Sequence, residues 1–437
     1  MPEVYFDGMV GPYHNYGGLS EGNLASLSHG NQPSSPKAAA LQGIEKAKLV
    51  NGLGLTQGFF LPHERPIFNV LHALGFEGDE KQVLNKVSKK FPTLLNNLYS
   101  SSAMWAANAG TFSPSVDCED NIMHITPANL GSMLHRSIES EFTHFQMELI
   151  FGGIGAVHPP VPNLTYKGDE GAANHLRISK SHDISGFEIF VHGGSAFERK
   201  AMVQRQALEA SYSVATNHKL NLDKTFFIEQ APTAIQAGSF HNDIVSLANE
   251  SLCIYHADAF AYPEQFIDIK EQISSQLPDA NFIEISNKDI NLDDIVGSYL
   301  LNSQLVTIPN TDKMCLILPQ EVNNYSAIQQ WLSNLPNISQ ITQLEYVDIK
   351  QSMMNGGGPA CLRFKAQLQG SELGELNSKF IFDDKKFEAL ESLIHKYYRE
   401  KLLPEDLRDY SLVIETREFL QALTELLDLG NIYAFQQ

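Results

Sequence analysis

Three consecutive glycines and a proline lead directly into a cysteine at Asn355-Gly356-Gly357-Gly358-Pro359-Ala360-Cys361. A thiol attacks as thiolate, which needs backbone N–H groups, positive charge or a base close by, together with access for a substrate. Glycines let a backbone approach a ligand closely, and Gly-Gly-Gly-Pro sits badly inside a helix or a central strand. Cys361 is therefore expected at a loop-to-strand junction. The other three cysteines sit differently. Cys253 and Cys315 lie in apolar runs that read as buried strands, where cysteine is a small inert hydrophobe, and Cys118 stands among Asp117, Glu119 and Asp120, which disfavour a thiolate. A structural cysteine packed beneath a glycine turn leaves the same run, so the run names a candidate nucleophile and no more.

Two further constellations carry polar groups suited to work beside such a thiol. Gly168-Asp169-Glu170-Gly171-Ala172-Ala173-Asn174-His175 sets two acids between glycines, either in a cramped polar pocket or as a helix start with Asp169 at the N-cap. Phe240-His241-Asn242-Asp243 puts a histidine and a carboxylate two residues apart ahead of an apolar run, a spacing that on a strand turns both to one face for acid/base work. Arg136 and Arg205 are candidate anion anchors, since a planar guanidinium matches a carboxylate. Trp105, one of two tryptophans, fills core or walls a pocket. No pair of histidines at helical spacing with an accompanying acid occurs, so no metal site is expected.

The elements that must position these groups come next. The chain has 437 residues, 43% hydrophobic and 19% charged, enough for a packed core and too few charges for a disordered chain. A net charge of −20 argues against nucleic-acid or anionic-membrane partners. Met1-Pro2-Glu3-Val4 does not open like a signal peptide, no apolar run reaches a membrane span, and the cysteines lack Cys-x-x-Cys spacing; a cytoplasmic location is expected.

Segment 8–36 is rich in Gly, Ser, Asn and Pro yet holds Tyr13, Tyr16, Leu19 and Leu24, so it reads as an ordered loop. A helix is expected after it, with Ser35 as N-cap, Pro36 at its first position, and Ala38, Leu41, Ile44 and Ala47 as the buried stripe. Past residue 180 the pattern becomes regular. Helix 199–217 leads to strands 225–229, 243–248 and 251–256, helix 263–277 and strand 281–285. Helix 292–301, strands 304–308 and 313–318, helix 322–335 and strands 341–349 and 361–368 follow, then helices 385–402 and 411–429 with Gly430 as stop. The recurring unit is two short strands, a helix and another strand, and such units arranged about an axis leave a site at the centre.

Taken in order, these segments resemble the N-succinylarginine dihydrolase family. The matching strings include Phe6-Asp7-Gly8, Val10-Gly11-Pro12, His14-Asn15-Tyr16, Gly22-Asn23-Leu24-Ala25-Ser26, Met104-Trp105, His135-Arg136-Ser137-Ile138-Glu139, Asp169 to His175, Phe240 to Asp243, Ser298-Tyr299-Leu300 and Asn355 to Arg363, and they run nearly the whole chain. The resemblance implies an α/β pentein propeller, five ββαβ modules around a pseudo-fivefold axis, formed by residues 1–437 as a single catalytic domain. It also implies a homodimer, no cofactor, and hydrolysis of N2-succinylarginine to N2-succinylornithine, carbon dioxide and two ammonia in arginine catabolism. Carried over residue by residue, Cys361 is similar to the nucleophile, His241 to the acid/base and Glu170 to the carboxylate partner. Substrate contacts would come from Gly17, Gly18, Leu19, Ser20, Glu21, Gly22, Asn23, Leu24, Ala25 and Ser26, and from Asn108, His135, Arg136, Arg205, Asp243 and Asn355. The chain departs from the family pattern at Tyr5, Tyr13, Glu21, Gln204, Ala207 and Met354, none of which is a proposed reacting group. The alternatives are a deiminase or amidinotransferase acting on another guanidino compound, and a non-catalytic protein that binds arginine derivatives.

Overall fold

The computed structural model of the chain describes residues 3–164, 166–198 and 205–437. Along them one unit is made five times. In chain order β1 (Glu3–Gly8) is followed by the helix Pro36–Gly52 and by β2 (Thr56–Phe60), parallel to β1. The second unit holds β3 (Gly110–Ser113), β4 (Met123–Pro127), the helix Ser140–Phe151 and β5 (Gly155–Val157). The third holds β6 (His175–Ile178), β7 (Phe187–His192), the helix Leu208–Asn217 and β8 (Thr225–Glu229). The fourth holds β9 (Ser246–Asn249), β10 (Leu252–His256), the helix Pro263–Gln276 and β11 (Asn281–Ile285). The fifth holds β12 (Gln304–Thr307), β13 (Met314–Pro319), the helix Ser326–Ile338 and β14 (Ile341–Val347). Finally β15 (Arg363–Gln367) lies antiparallel to β1 with Phe364 opposite Phe6, supplies the strand the first unit lacks, and closes the ring.

Every sheet has the same order: an antiparallel edge strand, a central strand, and a parallel strand reached through the helix. The central strands β1, β4, β7, β10 and β13 are buried along their whole length. Met314-Cys315-Leu316-Ile317-Leu318 shows why: a strand covered on both faces reads as an unbroken apolar run. The edge strands β15, β3, β6 and β9, with Ser303 at the entry to β12, border one cavity on the propeller axis.

The regular pattern read past residue 180 matches these units, with local differences. The helix read from 199 starts at Leu208, residues 199–204 lying outside the described ones; the departure at Gln204 lies there too. The strand read from 243 starts at Ser246, because Asn242–Ile244 make a 3-10 turn. The helix read as 292–301 ends at Ser298, where Tyr299 takes φ +57°. The helix Pro36–Gly52 starts as expected, but its stripe is Ala39, Ala40, Ile44, Ala47 and Val50, leaving Ala38 and Leu41 half-buried. Gly430 has φ +69° after the last helix, Tyr410–Leu426. Segment 8–36 is ordered: Tyr13 and Tyr16 are buried, Tyr13 donates to the carbonyl of His63 at 2.8 Å, and Leu24–His29 form a short helix. Among the described residues no helix is long and apolar enough to cross a membrane.

Candidate active site

Cys361 lies where the glycine run meets β15, at the loop-to-strand junction. The helix Lys350–Asn355 ends on Gly356, whose φ of +101° is left-handed, and a Cβ there would overlap the Asn23 side-chain amide. Glycine is needed on both counts. Asn23 caps the helix Leu24–His29 by accepting from the Ser26 N–H at 3.0 Å, and donates through Nδ2 to the Gly356 carbonyl at 2.8 Å. A Cβ on Gly357 would overlap Trp105 Nε1, so the turn lies flat against the indole. Trp105 thus does both things open to it in the sequence, joining the core and walling the cavity beside Cys361. The backbone of Cys361 is held by the Ala107 N–H, which donates to its carbonyl at 3.1 Å.

The thiol is 3% exposed. Burial first, then the charge of Asp243, push it well above the ordinary cysteine value, against weaker opposing effects of Asn302, the Gly358 backbone and Arg363. The other thiols are raised as well: Cys118 by burial and by Glu188, Asp117 and Asp120, and Cys253 and Cys315 to about 12 by burial. Acidity of the free thiol therefore does not single out Cys361; its surroundings do.

His241 follows a short loop after the helix Pro232–Gln236 and has extended backbone, φ −120°. Its Nε2 lies 2.5 Å from Glu170 Oε2, and its Nδ1 is buried without a hydrogen-bond partner among the described residues. Glu170 is fully buried. Burial raises its pKa, but Arg136, His241 and Arg205 outweigh that and hold the carboxyl below the usual carboxylate range. Arg136 Nε and Arg205 Nη1 each stand 3.9 Å from its oxygens. Asp169 serves the turn: its Oδ1 accepts from the Gly171 N–H and from Gln206 Nε2, both at 3.1 Å, while Gln206 Oε1 accepts from the Glu170 N–H at 2.7 Å.

The two arginines are themselves held. Arg136 Nη1 donates to Glu139 Oε2 at 2.7 Å and Nη2 to the Asn108 carbonyl at 3.0 Å. Glu139 also takes Arg65 Nη2 at 3.2 Å and the Ser102 hydroxyl at 2.5 Å, so buried charges alternate from Arg65 through Glu139 and Arg136 to Glu170. Arg205 lies over the Phe240 ring, 4.6 Å from its centre, and Nη2 donates to the Glu21 carbonyl at 2.5 Å. Burial lowers the Arg205 pKa, the ordinary consequence of taking a guanidinium out of water.

Most of the residues singled out in the sequence border two adjoining cavities that share Ser20 and Trp105. Cys361, His241, Asn108, Arg136, Arg205 and Asn23 line the first. Gly17, Gly18, Leu19, Ser26, His135 and Asn355 line the second. His135 is lowered to about 3 by burial and by Arg136 and Arg205, so it is neutral. Asn355 Nδ2 donates to Ser101 Oγ at 3.1 Å and to the Asn15 carbonyl at 3.3 Å. Glu21, Gly22, Leu24 and Ala25 line neither cavity; the Glu21 side chain is exposed, Leu24 is 57% exposed, and Glu21 reaches the site only through its carbonyl.

Asp243 differs from the sequence reading. It lies in a turn, not on a strand, and instead of sharing a face with His241 it borders the axial cavity, within electrostatic reach of both His241 and Cys361. Neither carboxylate oxygen has a hydrogen-bond partner within 3.5 Å among the described residues, and burial raises its pKa to about 6 despite His241, Arg363 and the nearby Asn302 amide. Sequence reasoning missed Glu139, Ser102, Phe240 and Asn302 as supports. Glu139 alone had a signal, standing three residues after Arg136 on what folds as a helical stretch.

Five ββαβ units closed into a ring, with cysteine, histidine and glutamate gathered near the axis, make this a pentein. Solved structures bear out the fold: the N-terminal domain of ArgZ, an arginine dihydrolase from cyanobacteria, is similar with a TM-score of 0.54 at 12% identity, covering 84% of this chain and 97% of that one. AgrE in complex with ornithine and NAD+ is similar over 83% of this chain and 39% of that one, with a TM-score of 0.52 at 13% identity. Sequence goes further than the fold. The succinylarginine dihydrolase family model matches residues 1–436. The N-succinylarginine dihydrolases of Shewanella oneidensis and Aeromonas hydrophila are 42% and 40% identical, each over 100% of this chain and 99% of the relative. The chain belongs to the succinylarginine dihydrolase family.

Proposed function

We propose that the protein hydrolyses N2-succinyl-L-arginine with two waters to N2-succinyl-L-ornithine, carbon dioxide and two ammonia, through a covalent adduct on Cys361. The observation that carries the reading is the buried Glu170–His241 pair at 2.5 Å, whose imidazole lines the same cavity as Cys361, Arg136 and Arg205 with Glu170 behind it. Supporting it is membership of a family named for this reaction.

A guanidinium carbon is a poor electrophile because its charge is spread over three nitrogens. Asp243, with both oxygens unpartnered among the described residues, is the acceptor that fixes the plane of the group. The cation in turn offsets the Asp243 charge that holds the Cys361 proton on, so substrate arrival favours the thiolate. Sulfur then attacks the carbon. His241, kept in register by Glu170, protonates the leaving nitrogen, which departs as ammonia. Water adds to the resulting thiouronium, His241 takes its proton, and the C–S bond breaks to give a ureido acid and free thiol. In the second round the thiol attacks the ureido carbon and the second ammonia leaves. Water cleaves the thiocarbamate to a carbamate, which loses carbon dioxide and frees the ornithine amine.

Arg136 and Arg205 belong to this reading as local positive charge for a ligand that brings two carboxylates to a protein of net charge −20. Gly17, Gly18, Leu19, Ser20 and Ser26 of the loop, with His135 and Asn355, form the wall for the rest of the substrate. A single catalytic domain over residues 1–437, a homodimer and a cytoplasmic location complete the proposal; the β15–β1 pairing, which joins residues 363–367 to the first strand, supports the first. The test is product analysis with purified protein and succinylarginine. Two ammonia and one carbon dioxide per succinylornithine are expected. One ammonia with a ureido product would make it a deiminase, and no turnover would leave a binding protein. Light scattering on the same sample tests the dimer.

A further inference from the structure

The cavity on the propeller axis is separate from the two that hold the thiol and the loop Gly17–Ser26. Its volume is about 80 Å³, room for a few small molecules and no more. One edge strand of each sheet contributes to its wall: Phe112 on β3, Arg177 on β6, Ala248 on β9, Lys365 on β15, and Ser303 at the entry to β12. Asp243, Ala360 and Ala107 line it as well. Each of these is tied to the thiol: Asp243 through its charge, Ala360 as its chain neighbour, and Ala107 by the hydrogen bond to the Cys361 carbonyl.

The charges along the wall are mostly positive. Arg177, Arg363 and Lys365 line it, and Asp243 is the only carboxylate among the lining residues described. The acids that pair with two of these cations stand behind them, Asp117 at 2.5 Å from Arg177 and Glu3 at 3.0 Å from Lys365. Arg363 forms no ion pair among the described residues, and its Nε is buried without a hydrogen-bond partner. A guanidinium so placed repels cations and passes neutral molecules, a filter known from pores that exclude protons and cations.

A two-round reaction sets a need this channel meets. The ureido intermediate must stay on the side of Ser20 and Trp105 while one ammonia leaves and water enters, and its own succinyl-ornithine body fills the way in. Ammonia is neutral when it leaves, having been protonated as a leaving group on an uncharged nitrogen. We propose that the axial channel is the second door of the active site, admitting water and releasing neutral ammonia past Arg363 while substrate and ureido intermediate stay on the other side. This rests on the two-round reading above.

The test narrows the channel at a residue that lines neither the thiol's cavity nor the one beside the loop Gly17–Ser26. Wild type is assayed first for two ammonia per carbon dioxide; another ratio there would count against the reaction and not against the channel. Ala248→Phe then puts a ring into the wall at β9. The expected result is kcat at least tenfold lower, KM for succinylarginine within twofold of wild type, and more than two ammonia per carbon dioxide, because ureido acid escapes by the substrate side before its second hydrolysis. A folded Ala248→Phe with wild-type kcat and a ratio of two overturns the proposal. Should that variant not fold, Ala248→Cys changes little and decides the matter. Benzyl methanethiosulfonate should lower its kcat and raise the ratio, dithiothreitol should restore both, and wild type treated alike with succinylornithine bound sets the background. Failure of the reagent to reach the thiol of the Ala248→Cys variant, or full activity after labelling, overturns the proposal equally.

Discussion

Nε2 of His241 and Oε2 of Glu170 lie 2.5 Å apart, both out of solvent, and the second carboxylate oxygen faces Arg136 at 3.9 Å. The pair joins residues 71 apart in sequence, from the start of the third propeller unit and the approach to the fourth. It fixes the imidazole with Nδ1 as its remaining nitrogen, unpartnered among the described residues. A histidine oriented in this way keeps one tautomer and one direction of proton transfer.

Glu170→Gln should therefore lower kcat by on the order of 10²-fold or more, with a smaller change in KM, because orientation and charge support for the acid/base group are lost together. The variant also leaves Arg136 and Arg205 without the carboxylate between them, at a cost of about 3–5 kcal/mol. The sign with pH follows from a carboxyl held below its ordinary value of 4.5. Its stabilising contribution is complete above 4.5 and is lost as pH falls through the lower folded value. Thermal midpoints of wild type and variant should stay apart from about pH 8 to about pH 5 and converge only in stronger acid. A gap that closes near neutrality would contradict the assignment.

Cys361 should be a poor nucleophile in the free protein, since burial and Asp243 keep its proton on. Iodoacetamide should inactivate slowly at about pH 7 and faster as pH rises past about 9. Methylguanidinium, a cation small enough to leave the sulfur open, should accelerate the inactivation at fixed pH, while Cys361→Ser should be inactive. Thiolate absorbance near 240 nm in the free protein at about pH 7, absent in Cys361→Ser, would show that substrate charge is not what activates the sulfur.

How much of this could be read in the sequence depended on how far apart the cooperating residues lie. The fourth and fifth units were legible because β10 and β13 are unbroken apolar runs and their helices carry regular stripes. The strands of the first 180 residues were not, nor was β7 just beyond them. Thr56-Gln57-Gly58 and Gly110-Thr111 carry too few apolar side chains to mark a period, and β1 takes its antiparallel partner from residues 363–367, far along the chain. At the site, the glycine run gave the junction that holds Cys361. The residue pattern alone could not pair Glu170 with His241; that came from resemblance. The Asp243 side chain was misdirected because a polar triplet before an apolar run looks like the first turn of a strand, whereas Asn242–Ile244 coil into a 3-10 turn.

Arg205 should contribute more to succinylarginine than to arginine. Its guanidinium is fixed by Phe240 and the Glu21 carbonyl, so it is ready to meet a carboxylate without losing further side-chain freedom. Arg205→Ala should raise KM for succinylarginine about 30-fold or more, as expected for about 2–5 kcal/mol from one desolvated charge pair. Any weak activity on arginine should change far less. Equal losses on both substrates would move Arg205 from the substrate to the support of Glu170.

Asp243 should set the acid limb of activity. With a folded pKa of about 6, it is ionised at about pH 7.5 and largely protonated at about pH 5, where it no longer attracts a guanidinium. kcat/KM should fall as pH drops through about 6, and Asp243→Asn should lose that limb together with at least about tenfold of its value at about pH 7.5. Stability should move the other way. A carboxyl whose folded value is raised from 3.8 to about 6 favours the fold while neutral, and that contribution is lost as pH rises through 6. Above that pH the protein carries a buried carboxylate with no hydrogen-bond partner among the described residues. Asp243→Asn removes that charge and should raise the thermal midpoint at about pH 7.5 by about one to a few degrees, with little gain at about pH 5. Calorimetry at the two pH values checks it. A less stable variant at the higher pH would mean that the carboxylate is paired in solution, and that the acceptor assigned to the guanidinium is already taken.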